Sequence, residues 1–180
     1  MEKKKFVDVD GADAVSKAVL ALLNTFPGLN DGESVQFSTL SESGGIGFFP
    51  SAGSALLSNK EDITGRVHQV CLYPFDIIFR AAPKTEIQKI RIKEFLDALG
   101  KWLELQPIVL NGTVYKLNQY PSLNGVPNGS DEAPETVSPV KRTIKSIART
   151  NAAHLSAAYQ DGVEDWLIAV TLQYENDFIK

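Results

Sequence analysis

The stretch Trp166-Leu-Ile-Ala-Val-Thr-Leu-Gln-Tyr174 decides the fold. Its large apolar residues Trp166, Ile168, Val170, Leu172 and Tyr174 recur at every second position, with polar Thr171, Gln173 and Glu175 between and after them. That period places one face in a core and leaves the other partly wet, as a strand does. Asp161-Gly162 lies just ahead and is a hairpin signal. The preceding segment, Ile147 to Tyr159, is therefore read as a strand, although Ala152, Ala153, Ala157 and Ala158 locally favour a helix. A second strand is expected over Val67 to Ala81. Its inner face carries Val67, Cys71, Tyr73, Phe75, Ile77 and Phe79, and its other face His68, Val70, Leu72, Asp76, Ile78 and Arg80. Pro74 interrupts this run. Proline donates no ladder hydrogen bond, so the strand must be at an edge or bulged there.

Two segments carry the helical period instead. From Ala12 to Phe26, residues Val15, Val19, Leu22, Leu23 and Phe26 fall on one stripe, with Pro27-Gly28 as the stop. Asp10 is the expected N-cap and Asp13 sits in the first turn, where the helix dipole favours an anion. From Thr85 to Leu105 the stripe is Ile87, Ile92, Phe95, Leu96, Leu99, Trp102 and Leu103, opened by Thr85 and Gln88 at capping-box spacing. Gly100 inside this helix costs about 1 kcal/mol relative to alanine, which predicts a close packing contact or a bend. After Pro107, Asn111-Gly112 between two short apolar runs predicts a small hairpin.

Glu33 to Leu40 reads as a short strand from the alternation of Val35 and Phe37 with polar neighbours. Residues 41–66, with Gly44, Gly45, Gly47, Gly53 and Gly65, read as a long loop, because glycine loses the most backbone entropy on ordering. From Pro121 to Pro139 the chain holds four prolines, two glycines and no Lys or Arg. A flexible insertion at about 121–140 follows from that composition.

The 180 residues suit one domain, residues 1–180. Hydrophobic residues make up 43%, enough for a core. With 18 Lys+Arg against 22 Asp+Glu the net charge is −4, so an electrostatic grip on nucleic acid is not expected. Lys3, Lys4 and Lys5 are followed by Phe6-Val7-Asp8-Val9-Asp10, where acids break the apolar stretch of a signal peptide. The expectation is a protein made and kept in the cytoplasm, with no membrane span. The lone Cys71 excludes an intrachain disulfide.

Catalytic and ligand motifs are sought with little return. His68 and His154 are far apart, and neither has a second His or Cys at metal-ligand spacing, so each is given a structural or surface role. Cys71, among core-facing positions, reads as a buried inert thiol. Ser138-Pro-Val-Lys141 spells Ser-x-x-Lys but borders the proline-rich segment, not a rigid helix turn. The glycines at 44–47 lack the endings of a dinucleotide or phosphate loop. His154 ahead of Asp161-Gly162 is similar to the His-x-x-x-Asp-Gly motif of chloramphenicol-type acetyltransferases, yet six residues separate His154 from Asp161 where that motif has three. No catalytic, cofactor or metal residue is therefore assigned, and no cofactor is expected.

In element order and in several segments the chain resembles the tail-terminator, or tail-completion, proteins of long-tailed bacteriophages, also called minor capsid proteins. The segments are Tyr73-Pro-Phe-Asp-Ile-Ile-Phe-Arg80, Phe95-Leu-Asp-Ala-Leu-Gly-Lys-Trp-Leu-Glu104, Tyr120-Pro-Ser-Leu123 and Trp166 to Tyr174. The insertion at 124–140 and the N-terminal lysines lie outside the resemblance. It implies an α+β subunit: an antiparallel β-sheet with two main α-helices packed on it and long loops. It also implies a ring, typically of six copies, at the head-proximal end of the tail tube. Such a ring caps the tube, ends polymerisation and joins tail to head. Its partners are other copies of the chain, the tail tube protein and a head-completion or neck protein, in a virion assembled in the host cytoplasm.

Two features of the chain fit this role. Six copies would carry roughly −24, and a lumen of that sign would let DNA pass without specific binding. Ile46, Phe48 and Phe49, apolar residues in a glycine-rich loop, are candidates for burial by a neighbouring subunit. An equal reading folds that loop back over its own sheet. The alternatives to a non-enzymatic terminator are another neck or tube subunit and, from a different class, a small cytoplasmic transferase. Titratable residues converging in a closed pocket would mark the enzyme. A flat subunit with apolar edges would mark the ring.

Overall fold

The computed structural model describes residues 11–52, 55–123 and 141–179. In chain order the elements are α1 (Ala12–Leu23), β1 (Val35–Phe37), β2 (Gly45–Pro50), β3 (Ala55–Glu61), β4 (Arg66–Ala81), α2 (Glu86–Leu103), β5 (Ile108–Leu110), β6 (Thr113–Tyr115), β7 (Lys141–Arg149), β8 (His154–Ala158) and β9 (Glu164–Ile179). The expected α+β architecture is present: a seven-stranded sheet, two helices and a separate β5–β6 hairpin.

The two 16-residue strands β4 and β9 pair antiparallel along their whole length, from Arg66↔Ile179 to Ala81↔Glu164. This register sets Cys71, Tyr73, Phe75 and Ile77 opposite Tyr174, Leu172, Val170 and Ile168 on one face, all buried. Each long strand then shares its outer edge between two short strands. β2 lies along Phe75–Arg80 and β3 along Val67–Leu72. On the far side, β8 lies along Glu164–Leu167 and β7 along Val170–Asp177.

That division accommodates Pro74. Its carbonyl accepts a hydrogen bond from the Ser51 N–H at 3.0 Å, so residue 74 faces the β2/β3 side of the sheet. Pro74 falls between Leu72, the last β4 residue paired with β3, and Phe75, the first paired with β2. The missing donor therefore sits in a gap of the ladder, a local edge inside a central strand.

Glycine-rich residues 41–66 are thus not one long loop: β2 and β3 occupy much of the segment. The entropy argument is local, and it is overridden by the partner edge that β4 offers. Gly47 has a packing reason as well, because a Cβ there would collide with the Phe49 ring and approach Leu40. One pairing breaks the antiparallel rule, since β1 runs parallel to β2 from Val35↔Ile46 to Phe37↔Phe48. The connection between them bends back with Ser38 at φ 50°.

Both helices cover the face of the sheet that carries Tyr73 and Leu172. In α1, Ala14, Val15, Ala18, Val19, Leu22 and Leu23 are buried, as the stripe predicts. The cap differs: Gly11 holds the N-cap position at φ 80° with no side-chain bond, and Asp10 lies outside the described residues. Only glycine takes that left-handed conformation without strain, and a Cβ would also strike the Arg142 side chain. The helix ends at Leu23, before Pro27. Asn24 is its C-cap and ties it to β1: the Oδ1 accepts from the Val35 N–H at 2.9 Å, and the Nδ2 donates to the Val35 carbonyl at 3.2 Å and to the Leu20 carbonyl at 2.9 Å. Phe26 remains in the core, edge-on to Phe95 with ring centroids 5.4 Å apart.

The capping box of α2 is formed by Thr85 and Gln88 as the spacing predicts. Its inner face is Ile92, Leu96, Leu99, Gly100, Trp102 and Leu103, but Ile87, expected on the stripe, is exposed. Gly100 does mark a close contact: a Cβ would come within 2.8 Å of Arg149 Cγ and 2.7 Å of Ile168 Cδ1. The C-terminal end of α2 is bolted to β7 by two polar side chains. Glu104 accepts from the Arg149 backbone N–H at 2.9 Å and from its guanidinium at 2.9 and 2.8 Å. The Tyr120 hydroxyl donates to the Leu103 carbonyl at 3.0 Å and accepts from the Ile147 N–H at 3.1 Å.

The expected hairpins are both present. Asn111 and Gly112, at φ 50° and 78°, close β5–β6, and these positive values are those of the turn that Asn-Gly favours. Asp161-Gly162 closes β8–β9. The strand read over Ile147–Tyr159 is two strands, with β7 ending at Arg149 and β8 starting at His154. Of the insertion at 121–140, residues 124–140 lie outside the described residues, while Leu123 is buried in the core.

Candidate functional site

The helix-free face of the sheet and its rims hold the chemistry-bearing side chains. From β4 this face shows Val70, Leu72, Pro74 and Ile78, and from β9 Leu167, Ala169 and Thr171, all half-buried. A cluster of paired charges closes each end.

At one end Arg80 and Asp165, directly opposite each other on β4 and β9, form a two-pronged ion pair with both N···O distances 2.7 Å. The Tyr159 hydroxyl donates to Asp165 at 2.9 Å, and the Arg80 guanidinium lies 5.4 Å from the Tyr159 ring centroid. Hydrogen bonding from Arg80 holds the Asp165 carboxyl below its ordinary range, and the same bond raises Arg80 further above neutrality. An open hollow of about 390 Å³ lies beside them, lined by Glu42, Arg80, Tyr159, Gln160, Asp161 and Val163. The guanidinium on its wall is already paired with Asp165. Next to it, Glu164 is held below its ordinary value by hydrogen bonding from Lys89 and also accepts from the Trp166 indole at 3.0 Å.

At the other end His68 Nδ1 lies 2.8 Å from Asp177 Oδ1, and His68 Nε2 lies 3.9 Å from Glu175 Oε1. Lys145 on β7 reaches the other oxygen of Glu175 at 2.8 Å. His68 thus has carboxylate partners on β9 that sequence spacing does not reveal. His154 is exposed and bonded through Nδ1 to the Ala152 carbonyl at 3.0 Å, away from Asp161. Cys71 is buried. Lys141 opens β7, and Ser138 of the Ser-x-x-Lys match lies outside the described residues.

The interface candidates separate. Ile46 and Phe48 are buried in the chain's own core, with Phe48 packed edge-on to Phe75 at 5.0 Å. They have no surface to offer a neighbour, because β2 folds onto β4 as the alternative reading supposes. Phe49 points to the opposite face and is half-buried over Gly47.

Of the sheet's edge strands, β1 and β7 carry side-chain caps, whereas β3 and β8 show none among the described residues. The outer edge of β1 is capped by Asn24 on both polar groups of Val35, and that of β7 by Tyr120 and Glu104 on the N–H groups of Ile147 and Arg149. Side-chain capping of this kind blocks pairing with another chain. Among the described residues no such cap reaches positions 55–60 of β3. Six of the seven β3 residues are exposed, including Leu56 at 54% and Leu57 at 62%. A second exposed apolar set, Val109 at 67%, Val114 at 65% and Tyr115, lies on the β5–β6 hairpin. Sequence reading misses β3 because Leu56-Leu57 carries no alternation and the surrounding glycines argue for loop.

No described helix is long and apolar enough to cross a membrane. Compared with known proteins, the chain matches no family model and no curated sequence.

Proposed function

We infer that this chain is a structural subunit that works by assembling with copies of itself. The role that fits best is a ring of the tail-terminator type, capping the head-proximal end of a phage tail tube and joining it to the head. The observation that carries this reading is the apolar edge of β3, whose positions 55–60 no side-chain cap reaches among the described residues, while β1 and β7 are closed by side chains. An open edge strand is a template for pairing with another chain. The exposed apolar residues on β3 and on the β5–β6 hairpin belong to different elements, so pairing one with the other between copies is a head-to-tail contact, the kind that closes into a ring when its rotation closes and otherwise runs on as a filament. The charged groups around the sheet support a role without bond chemistry, since Arg80, Asp165, Glu164, Glu104 and Arg149 are each held in ion pairs. In this reading the −4 charge per subunit keeps DNA moving through the lumen without adhesion. Tube protein and neck protein are the other partners, and the working location is the virion.

The test pairs Leu56→Lys with Leu57→Lys. Charge on an edge strand opposes pairing, and both side chains are more than half exposed, so the monomer can accept it. The expected result is loss of rings by native mass spectrometry and electron microscopy, with the monomer's circular dichroism unchanged. Particles that build tails of normal length and join heads without this chain would overturn the reading.

A further inference from the structure

We propose that His68, Glu175 and Asp177 form a binding site for a divalent first-row transition metal, Ni²⁺ or Co²⁺ by preference. The site goes beyond the ring reading and does not depend on it. Its three residues project from the two central strands on the helix-free face: Asp177 is the direct cross-strand partner of His68, and Glu175 is the partner of Val70, one same-face step along. One ligand atom from each lies within 4.8 Å of the other two. Strands buried on their other face hold the backbone positions, so the three side chains do not have to be gathered by folding a loop.

The donor set selects the ion. One imidazole nitrogen with two carboxylate oxygens is the mixed N,O set of the middle and late first-row metals, whereas Mg²⁺ and Ca²⁺ prefer oxygen alone. Two ligands at right angles on a metal with bonds of about 2.1 Å stand about 3.0 Å apart, against about 3.4 Å for tetrahedral zinc. The 2.8 Å between His68 Nδ1 and Asp177 Oδ1 is a hydrogen-bond distance, so either geometry needs only a small adjustment there, and the preference for Ni²⁺ or Co²⁺ rests on the donor set and on the water-completed coordination of a three-ligand site. A metal there takes the place of the proton that joins the two atoms. Glu175 Oε1 then closes in by rotation of its carboxylate, and water fills the remaining positions. Lys145, 2.8 Å from Glu175 Oε2, is the competing cation.

The experiment is calorimetric titration of the untagged full chain with NiCl₂, and with CoCl₂ followed by visible absorption. A dissociation constant on the order of 10 µM is expected, weaker than closed four-ligand structural sites. His68→Ala and Asp177→Asn each weaken binding at least about tenfold, since each removes a direct ligand. His154→Ala binds as the parent does, and MgCl₂ gives no comparable heat. Lys145→Gln binds Ni²⁺ about twofold tighter or better, because the cation held on Glu175 is gone. Circular dichroism in EDTA shows that every variant is folded, and Asp177→Asn preserves shape if His68→Ala does not. Absence of binding up to millimolar Ni²⁺, equal binding by folded His68→Ala and Asp177→Asn, or weaker binding by Lys145→Gln would overturn the proposal. Ring assembly is scored separately, so failure here leaves the ring reading standing and failure of the ring leaves this site standing.

Discussion

Replacing Gly100 by alanine tests whether tertiary packing reverses a helix preference. By intrinsic propensity the change stabilises α2 by about 1 kcal/mol. The structure opposes it: the new Cβ would approach Ile168 Cδ1 to 2.7 Å and Arg149 Cγ to 2.8 Å, both inside van der Waals contact. Ile168 is fully buried under the helix, and the Arg149 stem is held by the guanidinium's bonds to Glu104 at 2.9 and 2.8 Å. Overpacking of this kind costs about 1–3 kcal/mol. Displacing Arg149 adds about 1.5–3 kcal/mol if the charge-assisted bonds are lost. Partial relaxation keeps the two costs from adding fully. After the propensity gain, Gly100→Ala is expected to destabilise by about 1–3 kcal/mol. Urea unfolding followed at 222 nm measures this, with the m-value unchanged. In an Arg149→Ala background the stem is gone, and the cost of Gly100→Ala should fall by at least about 0.5 kcal/mol. A Gly100→Ala protein as stable as the parent would refute the packing argument. So would an unchanged cost in the Arg149→Ala background.

Tyr120→Phe removes the hydroxyl that joins the Leu103 carbonyl to the Ile147 N–H, leaving both unpaired at the junction of α2 and β7. A loss of about 1–3 kcal/mol is expected by the same unfolding assay, with hydrogen exchange at Ile147 accelerated. Acid stability follows from the lowered carboxyls. Asp165 and Glu104 are pulled down by hydrogen bonds from Arg80 and Arg149. Burial raises Asp97, but bonds from Lys93 and the Ala153 N–H outweigh it and leave it lowered too. Each contributes stability that is full above the ordinary values of 3.8 for Asp and 4.5 for Glu and is lost as pH falls through the lower folded-state values. Thermal scans should give a Tm that is level from pH 7 to about 5.5 and falls below about 4.5, and a Tm rising on acidification would contradict the ion-pair assignments. The Leu56→Lys, Leu57→Lys pair tests assembly, and the Ni²⁺ titration tests the His68 cluster, with the outcomes stated above.

What could be read without coordinates is what depends on neighbours close in sequence. The period of two in Trp166–Tyr174, the period of the helical stripes, the Thr85–Gln88 box and the Asn111-Gly112 turn each reflect one residue's geometry relative to the next few. All appear as elements, shifted by a few residues at the ends. The meaning of Pro74 was legible in the same way, as an edge requirement. Where that edge would come from was not.

Pairing across long separations belongs to the tertiary structure alone. Residues 45–50 and 55–61 become strands because β4 presents a free edge, and that contribution is absent from any local measure of glycine content. His68 meets Glu175 and Asp177 only through the β4–β9 register, and a slip of one residue would put them on opposite faces. Ile46 and Phe48 are core residues, not interface residues, for the same reason: their environment is set by Phe79 and Ile77, their cross-strand partners on β4. The edge of β3 is equally a product of the tertiary structure, since it exists because β3 pairs with β4 on one side alone. Sequence determines which segments can be strand or helix, because those preferences act over a few residues. Which edges meet, and which remain free, is decided when the whole sheet buries its one apolar face.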